Sequence, residues 1–263
     1  MRTTSKLLPA LALAALLGTT PLALAQAPSV GPTDLGGVVS GPNGPEAGVW
    51  VIAETKNLPT KYAKIVVTDD QGRYVVPDLP KGEYEVWVRG YGLVDSPKQK
   101  GLPGQTLNLT ATIAPNEAAA ARYYPGMYWY SMLQIPPKDQ FPGTGTGPGG
   151  NGIPTFMKTQ DFWVDTVKNA CQSCHALGSE NIRHPKKELG DWKTSGDMWM
   201  RRIQSGQAQG QMATAIARLG PQKGADLFGE WTDSIAKGAL PSSKPSRPDR
   251  KSTRLNSSHI PLS

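Results

Sequence analysis

A small all-β module followed by an all-α module, joined by a stretch that is neither, is the architecture this 263-residue sequence predicts. Three observations carry that expectation. Over residues 35–114, short runs of β-branched and aromatic residues alternate with turn signals, the pattern of a small antiparallel sandwich. Over residues 155–240, apolar residues return at helical steps. Residues 115–154 hold neither period and are dense in proline, glycine and tyrosine.

The two ends of the chain are set aside first. Arg2 and Lys6, an apolar run from Leu7 to Leu17, and Ala23-Leu24-Ala25 together read as a signal peptide over residues 1–25. The run is short for a membrane span, and no later stretch is long and apolar enough for one, so no span is expected after cleavage. Residues 250–263 have no apolar period and resemble a translated library-adapter tail, with the natural chain expected to continue past Asp249. The full chain has a net charge of +7, but these two segments supply five of its 28 basic residues and no acid. What remains is 23 basic residues against 21 acidic ones, a net charge of +2, which gives no case for nucleic acid.

The β module is built from Val38-Val39, Val49-Trp50-Val51-Ile52-Ala53, Lys64-Ile65-Val66-Val67, Tyr74-Val75-Val76, Tyr84-Glu85-Val86-Trp87-Val88 and residues 107–113. In the last run Leu107, Leu109, Ala111 and Ile113 alternate onto one face. Gly41-Pro42-Asn43-Gly44, Asp69-Asp70-Gln71-Gly72 and Pro80-Lys81-Gly82 separate the runs as turns. Gly36-Gly37-Val38-Val39, Pro45-Glu46-Ala47-Gly48-Val49-Trp50-Val51, Thr68-Asp69-Asp70-Gln71-Gly72-Arg73-Tyr74-Val75 and Leu79-Pro80-Lys81-Gly82-Glu83-Tyr84 resemble the signature segments of carboxypeptidase regulatory-like domains. That resemblance implies a transthyretin-like sandwich, grouped by fold with carbohydrate-binding modules. It also implies a positioning role, with a glycan or a neighbouring domain as its possible ligand.

In the linker, Arg122-Tyr123-Tyr124 and Tyr128-Trp129-Tyr130 form aromatic clusters, read as a sugar-stacking platform, a membrane-surface patch or a packing surface for a neighbouring domain. Residues 143–150, Gly-Thr-Gly-Thr-Gly-Pro-Gly-Gly, read as a flexible tether that buries no core.

The α module opens with Thr159 as a helix cap and Asp161 in the first turn. Phe162/Trp163, Val167, Ala170/Cys171 and Cys174 follow at three- to five-residue steps. Ser195 is the expected cap of a second helix carrying Trp199 and Ile203. Met212, Ala215, Ile216 and Leu219 suit a third helix, and Gly220-Pro221 starts a fourth through Leu227, Trp231 and Ile235 to Gly238.

The chemistry concentrates at Cys171-Gln172-Ser173-Cys174-His175, which holds the only two cysteines of the chain. C-x-x-C-H is the spacing that attaches a c-type haem. Two thiols three residues apart add across the two vinyl groups, and the adjoining imidazole turns to the iron. A dithiol redox pair would need the cysteines to open a helix, a zinc site would need ligands beyond His184, and a disulfide across two residues is strained. The expected cofactor is therefore one covalent haem c with its iron, held by Cys171 and Cys174, with His175 as proximal ligand.

The helix, motif, loop, helix and terminal helix together resemble the monohaem class I cytochrome c domain over roughly 85 residues. The resemblance implies that a proline carbonyl, for which Pro185 is the candidate, receives the other N–H of His175. It also implies a methionine as distal ligand. Met212 occupies the corresponding place, although Ala213 stands where the family often has proline. The alternatives for Met212 are an apolar helix position, or an open five-coordinate iron. Met198 and Met200 read as core or haem-edge packing, and Arg201 and Arg202 as propionate partners or solvated charges. Trp163, Trp199 and Trp231 are expected to wall the haem.

Both modules in this order resemble the front of bacterial proteins that continue into a streptogramin (virginiamycin B) lyase-like propeller. The expected function is single-electron transfer in the periplasm or outside the cell, with a redox partner protein and the sandwich as docking module. No catalytic constellation is found. The alternatives are a fragment of a haem oxidoreductase or propeller lyase, and a carbohydrate-binding module with an accessory haem.

Overall fold

In the computed structural model, which describes residues 27–184 and 187–247, a β-sheet region is followed by a helical region. The expected signal peptide and adapter-like tail lie outside the described residues.

The β region contains β1 (Leu35–Gly41), β2 (Gly44–Pro45), β3 (Trp50–Thr55), β4 (Tyr62–Val67), β5 (Arg73–Val76), β6 (Tyr84–Arg89), β7 (Leu93–Val94), β8 (Gln99–Gly101), β9 (Leu109–Thr110) and β10 (Thr112–Ile113). One sheet runs β2-β1-β5 with β9 beside β1. A second runs β4-β3-β6-β8, and β10 pairs with β7. The two larger sheets share a core of Leu35, Val39, Val51, Ala53, Val76, Tyr84, Val86 and Val88.

The antiparallel expectation fails at β9, which pairs with β1 in parallel through Val39↔Leu109 and Ser40↔Thr110. The alternation expected over residues 107–113 also breaks. Ala111 donates its N–H to Ser40 O, and the chain then leaves β1 to pair with β7, which puts Ile113 52% exposed.

Strand period decides what the second sheet does. Val51 and Ala53 of β3, and Val86 and Val88 of β6, point into the sandwich. The intervening Trp50, Ile52 and Trp87 point the other way and are also buried. Ile52 and Trp87 are register partners across the β3–β6 pair. What covers that outer face is the linker.

Two short helices shape it, α1 (Glu117–Ala121), capped by Asn116 through Ala119 N–H, and α2 (Gly126–Tyr130). Ala120, Ala121, Tyr124 and Trp129 join Trp50, Ile52, Trp87 and Tyr91 in one apolar cluster that continues into the helical region. Tyr91 meets Trp50 and Tyr124 edge-on, with centroids 4.8 and 6.2 Å apart. Among the three readings of the aromatic clusters, Tyr124 and Trp129 follow the packing one.

The glycine-rich stretch is not a loose tether. Asn151 holds it closed, accepting from Thr144 N–H at 3.0 Å and donating to Gln140 O at 2.7 Å, while Gly145 N–H bonds Ile153 O at 2.8 Å. The fold-back places Ile153 and Met157 in the core with no exposure.

The helical region comprises α3 (Gln160–Val167), α4 (Glu180–Arg183), α5 (Ser195–Ile203), α6 (Gln209–Leu219) and α7 (Pro221–Ala236). Thr159 caps α3 as expected, accepting from Phe162 N–H. On α5 the cap is Thr194, which accepts from Asp197 N–H. Ser195 instead donates to Asp233 on α7 at 2.6 Å. The two helices approach closely because Gly229 faces Gly196. A Cβ on Gly229 would stand 2.7 Å from Gly196 N. Beyond α7 the chain returns to the linker, where Lys244 pairs with Glu117 of α1, and to the sandwich, where Arg247 pairs with Glu46. No helix among the described residues is long and apolar enough to cross a membrane.

Trp129 sits where the three parts meet. Its indole N–H donates to Ala121 O at 3.2 Å, and its carbonyl accepts from Trp231 Nε1–H at 2.9 Å. Removing a buried tryptophan leaves a cavity and costs about 3–5 kcal/mol. Trp129→Ala is therefore expected to lower the unfolding free energy by about 3–5 kcal/mol, with a correspondingly lower denaturation midpoint, and residues 155–247 alone to unfold with reduced cooperativity. Chemical denaturation followed by circular dichroism measures both.

Candidate cofactor site

The helix that begins at Thr159 widens at its end into a π-type turn, Lys168–Gln172, which carries Cys171. Such widened turns recur at functional sites because they re-aim side chains. Cys171 is half-buried. Cys174 and His175 follow in the next turn and are exposed. Neither cysteine is in a disulfide. Gln172 closes the turn behind them by accepting from Leu177 N–H at 2.7 Å.

These residues open onto a cavity of about 530 Å³, inside the range of about 300–1,000 Å³ usual for ligand sites. Ala170, Cys171, Cys174, His175 and Leu177 form one side. Trp199, Arg202 and Ile203 come from α5, residues 205–208 from the following loop, Gln211, Met212, Ala215 and Ile216 from α6, and Phe228 from α7. The fold thus brings Cys171, Cys174, His175 and Met212 to one cavity with a largely apolar wall. Met212 begins the apolar face of the third expected helix. It occupies the first turn of α6, half-buried, with its N–H on Ala208 O at 3.0 Å.

The expected tryptophan wall is only partly present. Trp199 lines the cavity and donates its indole N–H to Thr232 at 3.2 Å. Trp163 and Trp231 lie behind it, fully buried, where their indole N–H groups donate to Leu219 O and Trp129 O. They hold the helices rather than face the cavity. Met198 belongs to the core, and Met200 lines a separate surface groove beside the exposed Trp192. His184 is exposed and lies away from the cavity lining. Its partial burial and the neighbouring Arg183 hold its imidazole below the usual histidine range. Pro185 lies outside the described residues.

The loop after the motif is pressed onto the linker helix α2. A Cβ on Gly178 would stand 1.7 Å from Gly126 O, so that position needs glycine for the backbones to touch, while a Cβ on Gly126 would meet Ser179 N at a tight 3.0 Å. Arg183, 3% exposed, donates from Nη1 to Gly178 O at 2.8 Å and lays its guanidinium 4.1 Å over the Trp129 ring.

Several cavity residues carried no expectation from sequence: Leu177, Gln207, Gln211 and Phe228. Gln211 has a readable signal, since it stands four residues before Ala215 on the face that Met212 and Ile216 also use. Phe228 belongs to the Ala225/Phe228/Thr232 stripe of α7.

No protein-family model and no curated protein sequence matches the chain. Among solved structures, a crystal structure of catechol 1,2-dioxygenase from Pseudomonas arvilla C-1 aligns over 34% of this chain and 54% of its own, at 13% identity and a TM-score of 0.25. The aligned part thus spans about half of that dioxygenase chain, and a likeness this weak carries no argument.

Burial, with the neighbouring Cys174 as the smaller cause, pushes the Cys171 thiol up to about 11. A thiol that far above neutrality is a poor nucleophile for disulfide exchange, which disfavours a dithiol redox centre. In haem-free protein, Cys171 is expected to alkylate slowly at pH 8, with its rate still rising between pH 9 and 11 as the thiolate forms. Iodoacetamide labelling followed by peptide mass spectrometry reads this. A Cys171 rate that levels off below pH 9 would contradict it.

Proposed function

We propose that this protein is a c-type haem protein that transfers single electrons in the periplasm or outside the cell. One observation carries the reading: the two thiols and the imidazole of a C-x-x-C-H motif border an apolar cavity of ligand size, with a methionine on another of its walls. When bound, the haem supplies an iron that alternates between ferric and ferrous states. Cys171 and Cys174 would hold the macrocycle through two thioethers, and His175 would face the iron. Met212 would supply a second protein ligand to the iron, a choice that raises the reduction potential relative to histidine. Trp199, Ile203, Ile216 and Phe228 supply the surface that keeps water off the ring.

Among the described residues, no three His, Cys, Asp or Glu side chains stand together as a metal site. A haem iron does not need such a cluster, because four of its ligands belong to the porphyrin. On this reading the helical region is a class I cytochrome c-like unit, and the sandwich is the carboxypeptidase regulatory-like partner that braces it. The burial of Trp50, Trp87 and Tyr91 beneath the chain's own linker favours bracing over a sugar-binding platform on that face.

Expressed with a haem-attachment system, the chain should give one pyridine haemochrome per molecule. The Cys171→Ala/Cys174→Ala double variant should give none that survives acid–acetone extraction. Met212→Ala should abolish the near-infrared methionine-to-ferric-iron band while leaving the haem covalently attached. A band that persists in that variant would remove Met212 as a ligand.

A further inference from the structure

Among the described residues that line the cavity, Arg202 is the one permanently charged side chain, and none of them is a carboxylate. A guanidinium offers five N–H donors. Arg202 spends Nη1 on Ile182 O at 3.3 Å and Nη2 on Asn181 O at 3.0 Å, both carbonyls at the end of α4. Its carbon stands 5.3 Å over the Trp199 ring. It makes no ion pair, and three donors have no protein partner among the described residues. Burial weakens its hold on the proton, and no neighbouring anion among the described residues offsets that.

Arg201, by contrast, is exposed and belongs to a groove that also contains Asp191 and Asp197. Arg183 is buried with only Glu180 as a nearby acid and no ion pair among the described residues, and it faces Trp129 and not the cavity. A desolvated cation in an apolar wall is stabilised by an anion that arrives with the ligand. The shape and lining therefore call for a group that is apolar over most of its surface and carries a carboxylate at one edge.

We propose that Arg202 receives a carboxylate of the bound group, a haem propionate on the function proposed above, and so fixes the ring's in-plane orientation and raises its reduction potential. Arg202 is a positioning residue: α4 and Trp199 hold the fork, and the unspent donors face the ligand. Without the guanidinium, an unpaired negative charge would remain beside the ring and would favour the ferric state.

The test is a spectroelectrochemical titration of the full-length holoprotein as wild type, Arg202→Gln and Arg202→Lys. The Gln variant should shift the ferric-to-ferrous ratio at fixed potential about tenfold toward ferric, a midpoint about 59 mV lower for one electron. The Lys variant should recover most of that shift, because it keeps the charge. Equal midpoints for wild type and the Gln variant would overturn the proposal. So would a Lys variant as low as the Gln variant, which would mean that only the α4 contacts matter.

A second measurement needs no Arg202 variant. In ferrous wild type the Arg202 Nε–H proton resonance should be protected from exchange and shifted from its position in the haem-free double-cysteine variant. An unchanged resonance overturns the proposal equally. The inference rests on haem being the ligand, and the outcomes separate. A wild type that acquires no covalent haem sinks both readings, whereas a loaded wild type with an indifferent Arg202 sinks only this one.

Discussion

The packing of Trp129 is the constraint on which the rest of the molecule depends. It is a linker residue, yet it bonds the helical region and belongs to the apolar cluster that the sandwich completes. Its ring N–H is spent on α1, its carbonyl takes the indole proton of Trp231 from α7, and its face carries the guanidinium of Arg183. Buried tryptophan contributes both large apolar area and a polar end that must be satisfied. Here the polar ends of Trp129 and Trp231 are satisfied in series, which ties the terminal helix to the segment lying against the sandwich. The outer face of β3 and β6 completes the same apolar cluster. The sandwich is thus a wall of the structure that holds the helices.

That arrangement positions the candidate site from two directions. On the linker side, Gly126 and Gly178 let backbone meet backbone, and Arg183 holds the Gly178 carbonyl three residues beyond His175. On the opposite side, the Gly196–Gly229 contact draws α5 against α7, so that Trp199 and Phe228 lie with ring centroids 5.1 Å apart at the cavity wall. Neither contact involves the motif itself. The cavity is the space left between a loop pinned by the linker and helices pinned by each other.

The sequence expectations that held rest on short-range physics. Thr159 was legible as a cap because a hydroxyl three residues before an amide N–H is a local geometry. Gly220-Pro221 was legible as the start of α7 because Pro at the first helical position sacrifices no hydrogen bond. The misses were decided at longer range. The glycine-rich stretch has the composition of a tether, yet Asn151 closes it through bonds to residues 7 and 11 positions away. Ser195 is the cap expected from sequence, but Thr194 takes that place because the partner on α7 that claims the Ser195 hydroxyl is 38 residues distant. Trp163 and Trp231, expected from sequence to wall the site with Trp199, point elsewhere. Which way each ring points was set by the carbonyls that receive their N–H groups, Leu219 O and Trp129 O.

By itself, the sequence determined the order of a β region and a helical region, the strand and helix cores, and the grouping of Cys171, Cys174 and His175. All of these follow from periods and spacings within a few turns of chain. Only the tertiary structure decided that Met212 shares a cavity with that motif, that Arg202 is the one fixed charge among its described lining residues, and that the linker is packed core. Those facts depend on which apolar faces find each other across tens to more than a hundred residues. Burial is a property of the assembled surface, and no local pattern encodes what will cover it.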